Sequence, residues 1–335
     1  MPATRSGSGE AAGGDEVLRD LVLARIIEPT SKQDSLRVLA ETGLEPVSYR
    51  TIKPRLPVYA EPGWRQQLAA ACAAHARLGP ACLVLFDVST LYFETDAGDG
   101  FREPGFSKQR RLEPQITIGL LTDGSGFSLT VEALEGNKAE TTTMLPTITA
   151  FMAAHQLADV TIVADAGMVS DANKKAIEQT GLWFILGAKI PQVPYVVADW
   201  RKAHPDESIG DGQIFIQPWP AGPKDKRGDQ MIFYQYRADR ARRTLRGIDE
   251  QLAKAEKAVA GKVAVKRNRF IKLAGANKSV DRGLEAKARG LAGLKGYITN
   301  LPDPDAEFVI GAYHRLFQIE KSFRMSKHDL AARPI

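Results

Sequence analysis

Residues 82–87 read Cys-Leu-Val-Leu-Phe-Asp, a short apolar run that ends on a carboxylate. An uninterrupted run of this length is typical of a central strand that is buried on both faces. Residues 160–165, Val-Thr-Ile-Val-Ala-Asp, show a similar pattern and also end on an aspartate. Because sites in α/β sheets form where strand ends converge, we expect Asp87 and Asp165 to meet at one edge of a sheet. Each aspartate has a plainer alternative role, which is to terminate its strand.

The residues between and after these two runs complete the predicted sheet. A turn at residues 123–126, Asp-Gly-Ser-Gly, separates two β-like segments and predicts a hairpin. This succession of strands and helices predicts an α/β fold, with a mixed sheet flanked by helices. The other predicted elements of this region are strands at 91–94, 115–122, 127–134 and 182–186, and helices at 141–155 and 171–179.

Composition changes along the chain predict its domain organisation. The helical N-terminal region is interrupted by Pro54 and Pro57, which we expect to break its helical pattern. A basic α+β insertion, with helices at 238–259 and 281–294, precedes a final strand at 297–301 and a helix at 308–327. The predicted segments are a loose Gly/Ser/Ala-rich tail at 1–16, helical residues 17–79, the first part of the core at 80–189, the insertion at 190–295, and the second part of the core at 296–335.

Composition excludes several classes of protein. With 335 residues, of which 44% are hydrophobic, the chain can bury a sizeable core. No apolar run approaches the roughly 20 residues that span a bilayer, and no secretory signal is present. Cys72 and Cys82 form no Cys-x-x-Cys pair, and the five histidines show no ligand-like spacing. These features argue against a disulfide scaffold and a cysteine-based zinc site, and they predict a reducing, cytoplasmic setting.

Positive charge is concentrated in one part of the insertion. The net charge of the chain is +5, but residues 237–289 contain 16 Lys or Arg and 6 Asp or Glu, a balance of +10. The rest of the chain therefore carries −5. A basic block on an acidic body indicates contact with a polyanion, although a solvated helical face would have the same composition.

The last predicted helix carries a third acidic residue, Glu320. Tyr313, Glu320 and Lys327 follow one another at intervals of seven residues, nearly two helical turns, so we expect them on one stripe of one helix. That stripe would carry a carboxylate for a metal ion, with a hydroxyl and an ammonium group suited to phosphate oxygens. An ordinary ion pair between Glu320 and Arg324 is the simpler alternative.

These motifs together resemble a known family. Three acids in the order Asp, Asp, Glu, two after strands and one on a helix, resemble the ribonuclease H-like core of DDE transposases. The last helix resembles the Tyr-x-x-Arg-x-x-x-Glu-x-x-x-x-x-x-Lys signature of the insertion-sequence-four superfamily of bacterial insertion sequences. Further segments that resemble this family are residues 85–94, 102–108, 136–141, 163–170 and 333–335.

The chain departs from the family pattern at Leu316, where the signature has arginine. Arg315 is five positions from Glu320 and points about 140° away from it on a helix, so it cannot replace that guanidinium. Arg324, about 40° from Glu320, is the better candidate. The chain also ends eight residues after Lys327, where family members continue, and its beginning looks abbreviated. The resemblance therefore implies truncation at both ends.

The resemblance implies a function, a metal requirement and a partner. Asp87, Asp165 and Glu320 would be catalytic and would hold two Mg²⁺ or Mn²⁺ ions, for cleavage and strand transfer at the ends of an insertion sequence. The partner would be double-stranded DNA in the nucleoid, as terminal inverted repeats and target, bound by a homodimer. The expected DNA-contacting residues are Tyr313, Arg324, Lys327, Lys108, Arg110 and Arg111.

Two alternatives stay open at this stage. One is a catalytically inactive transposase remnant that binds DNA as a regulator, which the absence of arginine at position 316 favours. The other is a phosphatase of the haloacid dehalogenase class, because Asp87-Val-Ser-Thr follows an apolar strand. Against the phosphatase, Ser89 stands where that class has a second aspartate, and a hairpin is predicted where a crossover helix would be expected.

Overall fold

The computed structural model describes residues 14–79, 81–105, 112–138, 144–167, 171–222, 228–264, 268–274 and 277–332. The chain divides into two compact units: unit 1 comprises residues 1–183 and 314–335, and unit 2 comprises residues 184–313. Unit 2 is thus wider than the insertion predicted at 190–295, because strand β10 (Leu294–Thr299) pairs with strands on both of its sides. Lys108, Arg110 and Arg111 lie outside the described residues, as do residues 333–335.

The described part of unit 1 begins with four helices. The first is capped by Asp15, whose side chain accepts a hydrogen bond from the Leu18 amide at 3.1 Å. Arg55 of the third helix and Tyr59, which directly follows that helix, also donate to this carboxylate. Burial raises the pKa of Asp15, but these hydrogen bonds outweigh burial and hold it below its usual value. The four helices are α1 (Glu16–Ile27), α2 (Ser35–Glu41), α3 (Tyr49–Val58) and α4 (Pro62–Ala76).

The prediction that Pro54 and Pro57 interrupt the helical pattern is wrong, since both lie inside α3. Ser48 caps this helix by accepting from the Thr51 amide at 3.3 Å. Ile52 is only 1% exposed and anchors the helix in the core of unit 1. Packing and the cap therefore outweigh the unfavourable contribution of the prolines.

The sheet of unit 1 follows the order β3-β2-β1-β4. Strands β1, β2 and β3 are antiparallel neighbours, whereas β4 runs parallel to β1. This is the strand arrangement expected of a ribonuclease H-like core, and it confirms the predicted mixed sheet flanked by helices. The elements are β1 (Leu83–Tyr92), β2 (Gln115–Asp123), β3 (Ser128–Glu135), α5 (Met144–His155), β4 (Thr161–Ala164) and α6 (Asp171–Gln179).

Two features of β1 bear on the sequence predictions. The segments predicted separately at 82–86 and 91–94 form one strand, because β2 pairs with β1 from Val84 to Tyr92. Asp87 therefore lies within β1 and not at its end, which corrects the expected position. The next strand along the chain is the antiparallel β2, which is not the crossover arrangement expected of the phosphatase class.

Unit 2 contains an antiparallel sheet in the order β5-β10-β7-β6 and a separate two-stranded hairpin, β8-β9. Helix α8 matches the bounds predicted for it, whereas α7 and the hairpin were not predicted. No helix in the described ranges combines the length and apolar character needed to cross a bilayer. The elements are β5 (Trp183–Ala188), α7 (Tyr195–Ala203), β6 (Ile214–Trp219), β7 (Gln230–Tyr236), α8 (Ala238–Val259), β8 (Ile271–Ala274), β9 (Asn277–Val280), α9 (Arg282–Gly290), β10 (Leu294–Thr299) and α10 (Ala306–His314).

The helix predicted at 308–327 is two helices in the structure. Helix α10 ends at His314, and a separate helix, α11, spans Leu316–His328 and belongs to unit 1. The break falls at Arg315, whose guanidinium donates to the Gly124 carbonyl oxygen of the β2-β3 turn at 3.3 Å. The expectation that Tyr313, Glu320 and Lys327 share one helix is therefore wrong for Tyr313.

Candidate active site

Strand register brings Asp87 and Asp165 to the same level of the unit 1 sheet. The parallel strands β1 and β4 pair Leu83 with Thr161, Val84 with Ile162 and Leu85 with Val163, a constant offset of 78 residues. Continued by two residues, this offset sets Asp87 level with Asp165, which directly follows β4. Neighbouring strands lie about 4.8 Å apart, and side chains in register leave the same face of a parallel pair. Asp165 therefore lies where β4 ends, and Asp87 lies beside it in β1.

The two aspartates differ in their surroundings. Asp87 is half-buried in β1, and one of its carboxylate oxygens accepts a hydrogen bond from the Val88 amide at 2.8 Å. Asp165 is exposed at the end of β4, where the chain leaves the sheet. A carboxylate within a sheet is costly unless it is solvated, paired or bound to a cation, so the open end of β4 gives Asp87 the access to solvent that it needs.

Helix α11 lies along β1. At its start, Arg315 contacts Gly124, which itself lies against the Leu83 side chain. Near its end, the Lys327 ammonium donates a hydrogen bond to the Ser89 hydroxyl in β1. From residue 315 to residue 327 a helix rises about 18 Å, and from residue 83 to residue 89 a strand extends about 20 Å. The two spans match, so α11 follows β1 from one of these contacts to the other.

This seating sets the level of Glu320 along the strand. Ser89 and Asp87 are two residues apart in β1, so their side chains leave the same face, the face that Lys327 reaches. Glu320 precedes Lys327 by about 10 Å along the helix, and Asp87 precedes Ser89 by about 7 Å along the strand. Glu320 and Asp87 thus fall within about 4 Å of the same level. Glu320 is exposed, as is Arg324 one turn further along.

The three carboxylates do not form a ready-made coordination shell. Within the described residues, which include all three acids, no group of three or more His, Cys, Asp or Glu side chains is arranged to hold a metal ion. Carboxylate oxygens are the ligands that Mg²⁺ prefers, so the chemistry of the set fits such an ion although its arrangement is not closed around one. The metal triad therefore stays a prediction.

Tyr313 does not lie where the sequence spacing put it. Its side chain is 5% exposed in unit 2 and packs edge-to-face on Tyr297, with 5.1 Å between ring centroids. The ammonium of Lys295 lies 4.2 Å from the centre of the Tyr313 ring. The burial of this ring favours a packing role, and the expected role of Tyr313 as a phosphate contact stays a prediction.

Leu316 is 7% exposed, so the position of the signature arginine is buried. The expectation that Arg315 cannot replace this arginine agrees with its contact to the β2-β3 turn. The role of Arg324 stays a prediction.

The contact between Ser89 and Lys327 was not predicted from the sequence. Strand alternation from Asp87 was the available signal for it, since every second residue of a strand shares a face.

Two segments that carried the family resemblance pack against each other. Glu103 and Gln115 form an isolated β-bridge, and the Gln115 side chain donates to the Gly136 carbonyl oxygen at 3.1 Å. A Cβ atom on Gly105 would collide with this carbonyl, and one on Gly136 would collide with the backbone oxygens of Gln115 and Glu103. The two glycines are therefore required for close approach of the backbones of residues 102–105 and 136–138.

The two cysteines, Cys72 and Cys82, are free thiols. Burial raises the pKa of both Cys72 and Cys82. Because the thiolate is the reactive form, neither residue has the environment of a catalytic nucleophile.

No protein-family model matches the chain, and neither does any curated protein. Solved structures to which the chain is similar include a piggyBac transposase synaptic complex with hairpin DNA, at 10% identity and a TM-score of 0.46 over 98% of this chain and 61% of the other. A Mos1 transposase paired-end complex with the left transposon end matches at 12% identity and a TM-score of 0.22, over 54% of this chain and 59% of the other. The chain thus spans about three fifths of the length of these transposases.

Proposed function

We propose that the chain is a DNA transposase of the insertion-sequence-four type, in which Asp87, Asp165 and Glu320 serve cleavage and transfer of DNA strands. The observation that carries the proposal is the parallel register of β1 and β4, which, continued by two residues, would set Asp87 level with Asp165. The seating of α11 on the same strand supports the assignment of Glu320 as the third acid.

The three carboxylates would bind Mg²⁺ or Mn²⁺, with two ions as the proposed number. Such ions, when bound, supply Lewis-acid stabilisation of phosphoryl oxygens and activation of a water or 3′-hydroxyl nucleophile. Asp87 and Asp165 would contribute oxygens from the sheet, and Glu320 would contribute its own from α11. Asp87 lies in a strand and Glu320 in a helix, which hold the positions of side chains better than loops do, and Asp165 directly follows a strand.

Lys327 and Arg324 would bind the phosphates of the DNA strand. The Lys327 ammonium is held beside β1 by Ser89, so it presents a fixed positive charge two residues along the strand from Asp87. Arg324 lies about 60° around the helix from Lys327 and is exposed, so its guanidinium can reach a second phosphate. It would take the part of the signature arginine that Leu316 replaces. The DNA would comprise terminal inverted repeats and target, held by a homodimer in the cytoplasm.

A metal-binding experiment tests the site independently of catalysis. Mn²⁺ is titrated into the full chain by calorimetry, for the wild type and for Asp87→Asn, Asp165→Asn and Glu320→Gln. Each variant removes one proposed ligand charge with little change in volume, so each is expected to weaken binding at least about tenfold. Glu45→Gln, which removes an exposed acid of unit 1, is the matched control and should bind like the wild type. Equal binding by all variants would show that these acids hold no ion.

A cleavage assay tests the reaction itself. The protein is mixed with Mg²⁺ and duplex DNA that carries the ends of the insertion sequence, and nicks at those ends are followed with time. Each of the three substitutions should slow nicking by about 10²-fold or more, because each removes charge that acts on the transition state. Cutting at the wild-type rate by the variants would reject the triad.

A catalytically inactive DNA-binding remnant is the second candidate function. The burial of Leu316 at the signature position favours it. Such a protein would bind the same DNA in a salt-sensitive manner and would neither bind Mn²⁺ through the three acids nor nick the ends. The two experiments above therefore separate the candidates.

A further inference from the structure

Helix α8 of unit 2 carries acidic residues beside its buried face and mostly basic residues on its exposed side. Ile248, Leu252 and Ala255 are buried and form a hydrophobic cluster with Phe270, against which α9 packs. Beside this buried face, Asp249 and Glu256 lie seven residues apart and so point in nearly the same direction. The remaining side of the helix is exposed to solvent.

The acids beside the buried face form ion pairs with arginines of α9. Asp249 contacts Arg289 at 2.6 Å, and Glu256 contacts Arg282 at 2.7 Å. Glu285 of α9 lies between the same two arginines, at 2.7 Å from Arg282 and 3.0 Å from Arg289. Arg282 first and Arg289 second lower the pKa of Glu285, so it stays ionised. Two arginines of the basic block therefore serve the structure of unit 2 and are not available to a partner.

The exposed side of α8 has the opposite character. Five basic residues occupy an arc of about 120° there. The same arc contains two acids, Asp239 and Glu250, of which Asp239 is paired with Arg242. The arc thus carries a net charge of +3. Its basic residues are Arg242, Arg243, Arg246, Lys254 and Lys257, all of them exposed.

The basic residues of this arc form two clusters. Arg242, Arg243 and Arg246 lie at the first, and Lys254 and Lys257 at the second. The eight residues from Arg246 to Lys254 correspond to about 12 Å along the helix, which is close to the width of the major groove of B-DNA. Glu250 lies between the clusters, where a phosphate would be repelled.

We infer that the exposed side of α8 is a binding surface for duplex DNA, on which the two clusters contact phosphates on opposite sides of a major groove. Glu250 would then lie over the open groove. A single strand or a lipid surface presents no pair of phosphate rows at a fixed 12 Å separation, so the spacing of the clusters favours a duplex. This inference concerns a surface outside the proposed active site and holds whether or not the chain cleaves DNA.

The test measures binding of a fluorescein-labelled 20-base-pair duplex to the full chain by anisotropy, in EDTA, between 50 and 200 mM KCl. The variant Arg246→Gln/Lys254→Gln/Lys257→Gln removes three basic residues that form no ion pair with a described residue. Because each phosphate contact contributes about 0.9 to the salt slope, the wild-type affinity should fall about 40-fold more over this range than that of the variant. Lys32→Gln/Arg50→Gln/Lys53→Gln removes the same charge from exposed positions of unit 1 and should keep the wild-type slope.

A second variant distinguishes a specific loss of DNA binding in the triple variant from a loss of folding. Glu250→Gln removes the one unpaired acid of the arc and should tighten duplex binding several-fold, which a damaged protein would not do. The inference is overturned if the triple variant and its control have equal slopes. It is also overturned if a single strand of the same length, or vesicles of anionic lipid, bind better than the duplex. Loss of nicking in the triad variants leaves it untouched, because no metal and no cleavage enter this measurement.

Discussion

Gly126 in the β2-β3 turn allows α11 to pack closely against this turn, and its replacement by alanine tests that contact. Its φ angle is +92°, a conformation that non-glycine residues adopt at a cost of about 1–3 kcal/mol. A Cβ atom at this position would also lie 2.5 Å from the Cβ atom of Gln318 in α11, more than 1 Å closer than carbon atoms pack. Relief of such an overlap costs a further 1–3 kcal/mol or so. We therefore expect Gly126→Ala to lower the free energy of unfolding by about 2–6 kcal/mol.

Gly100 offers a matched control for this substitution. Its φ angle is +89°, nearly the same as that of Gly126, but an added Cβ atom would meet nothing within 4 Å. Gly100→Ala should therefore cost only the conformational part, about 1–3 kcal/mol. The difference between the two variants in urea-induced unfolding measures the contact between the turn and α11.

The same substitution should affect the proposed chemistry. Alanine at position 126 has to push α11 away by about 1 Å, and α11 carries Glu320 and Lys327. A displacement of that size lowers the rate of an enzyme by on the order of 10²-fold. We therefore expect folded Gly126→Ala protein to nick transposon ends about 10²-fold more slowly than folded Gly100→Ala protein. If both variants lose equal stability and nick at equal rates, then α11 is not seated against this turn.

Three further predictions follow from burial and charge. Leu316→Arg restores the residue of the signature but buries an unpaired charge, so urea unfolding should show a loss of about 3–5 kcal/mol and nicking should not increase. Tyr313→Ala should cost about 3–5 kcal/mol in the same assay, whereas Tyr313→Phe should keep the nicking rate within about twofold, since this ring packs in the core. The pKa of Glu285 is below its usual 4.5, so the stability that it contributes is present above that pH and is lost as the pH falls through the lowered pKa. Unfolding measured between about pH 6 and pH 3 should show this loss in the wild type and less of it in Arg282→Gln/Arg289→Gln, where the pKa is no longer lowered.

Elements whose pattern is local were predictable from the sequence. The bounds of α8 were predicted correctly, because its apolar residues recur at helical spacing and its polar residues occupy the other side. The hairpin β2-β3 was predictable for a similar reason: the turn Asp123-Gly-Ser-Gly126 supplies both the side-chain acceptor and the glycine that such a turn needs.

Elements that depend on distant contacts were not predictable. The continuous strand β1 requires β2 beside it over nearly its whole length, and no local pattern around Asp87 reveals that partner. The helix break at Arg315 is stabilised by a carbonyl oxygen 191 residues away in the chain. The placement of Tyr313 on the same helix as Glu320 was wrong for this reason, because the regular spacing of seven residues describes one uninterrupted helix and the structure contains two.

For the candidate site, the sequence by itself determined which residue types were available: two aspartates after apolar runs, and a helix with Glu320 and Lys327 two turns apart. Only the tertiary structure decided which of them share a level of the sheet. The offset of 78 residues between β1 and β4 is a property of strand pairing, and a shift by one residue would move Asp165 away from Asp87 and turn its side chain to the other face. The local sequence determines which side chains are available, whereas the register of β1 and β4 depends on the packing of the whole unit.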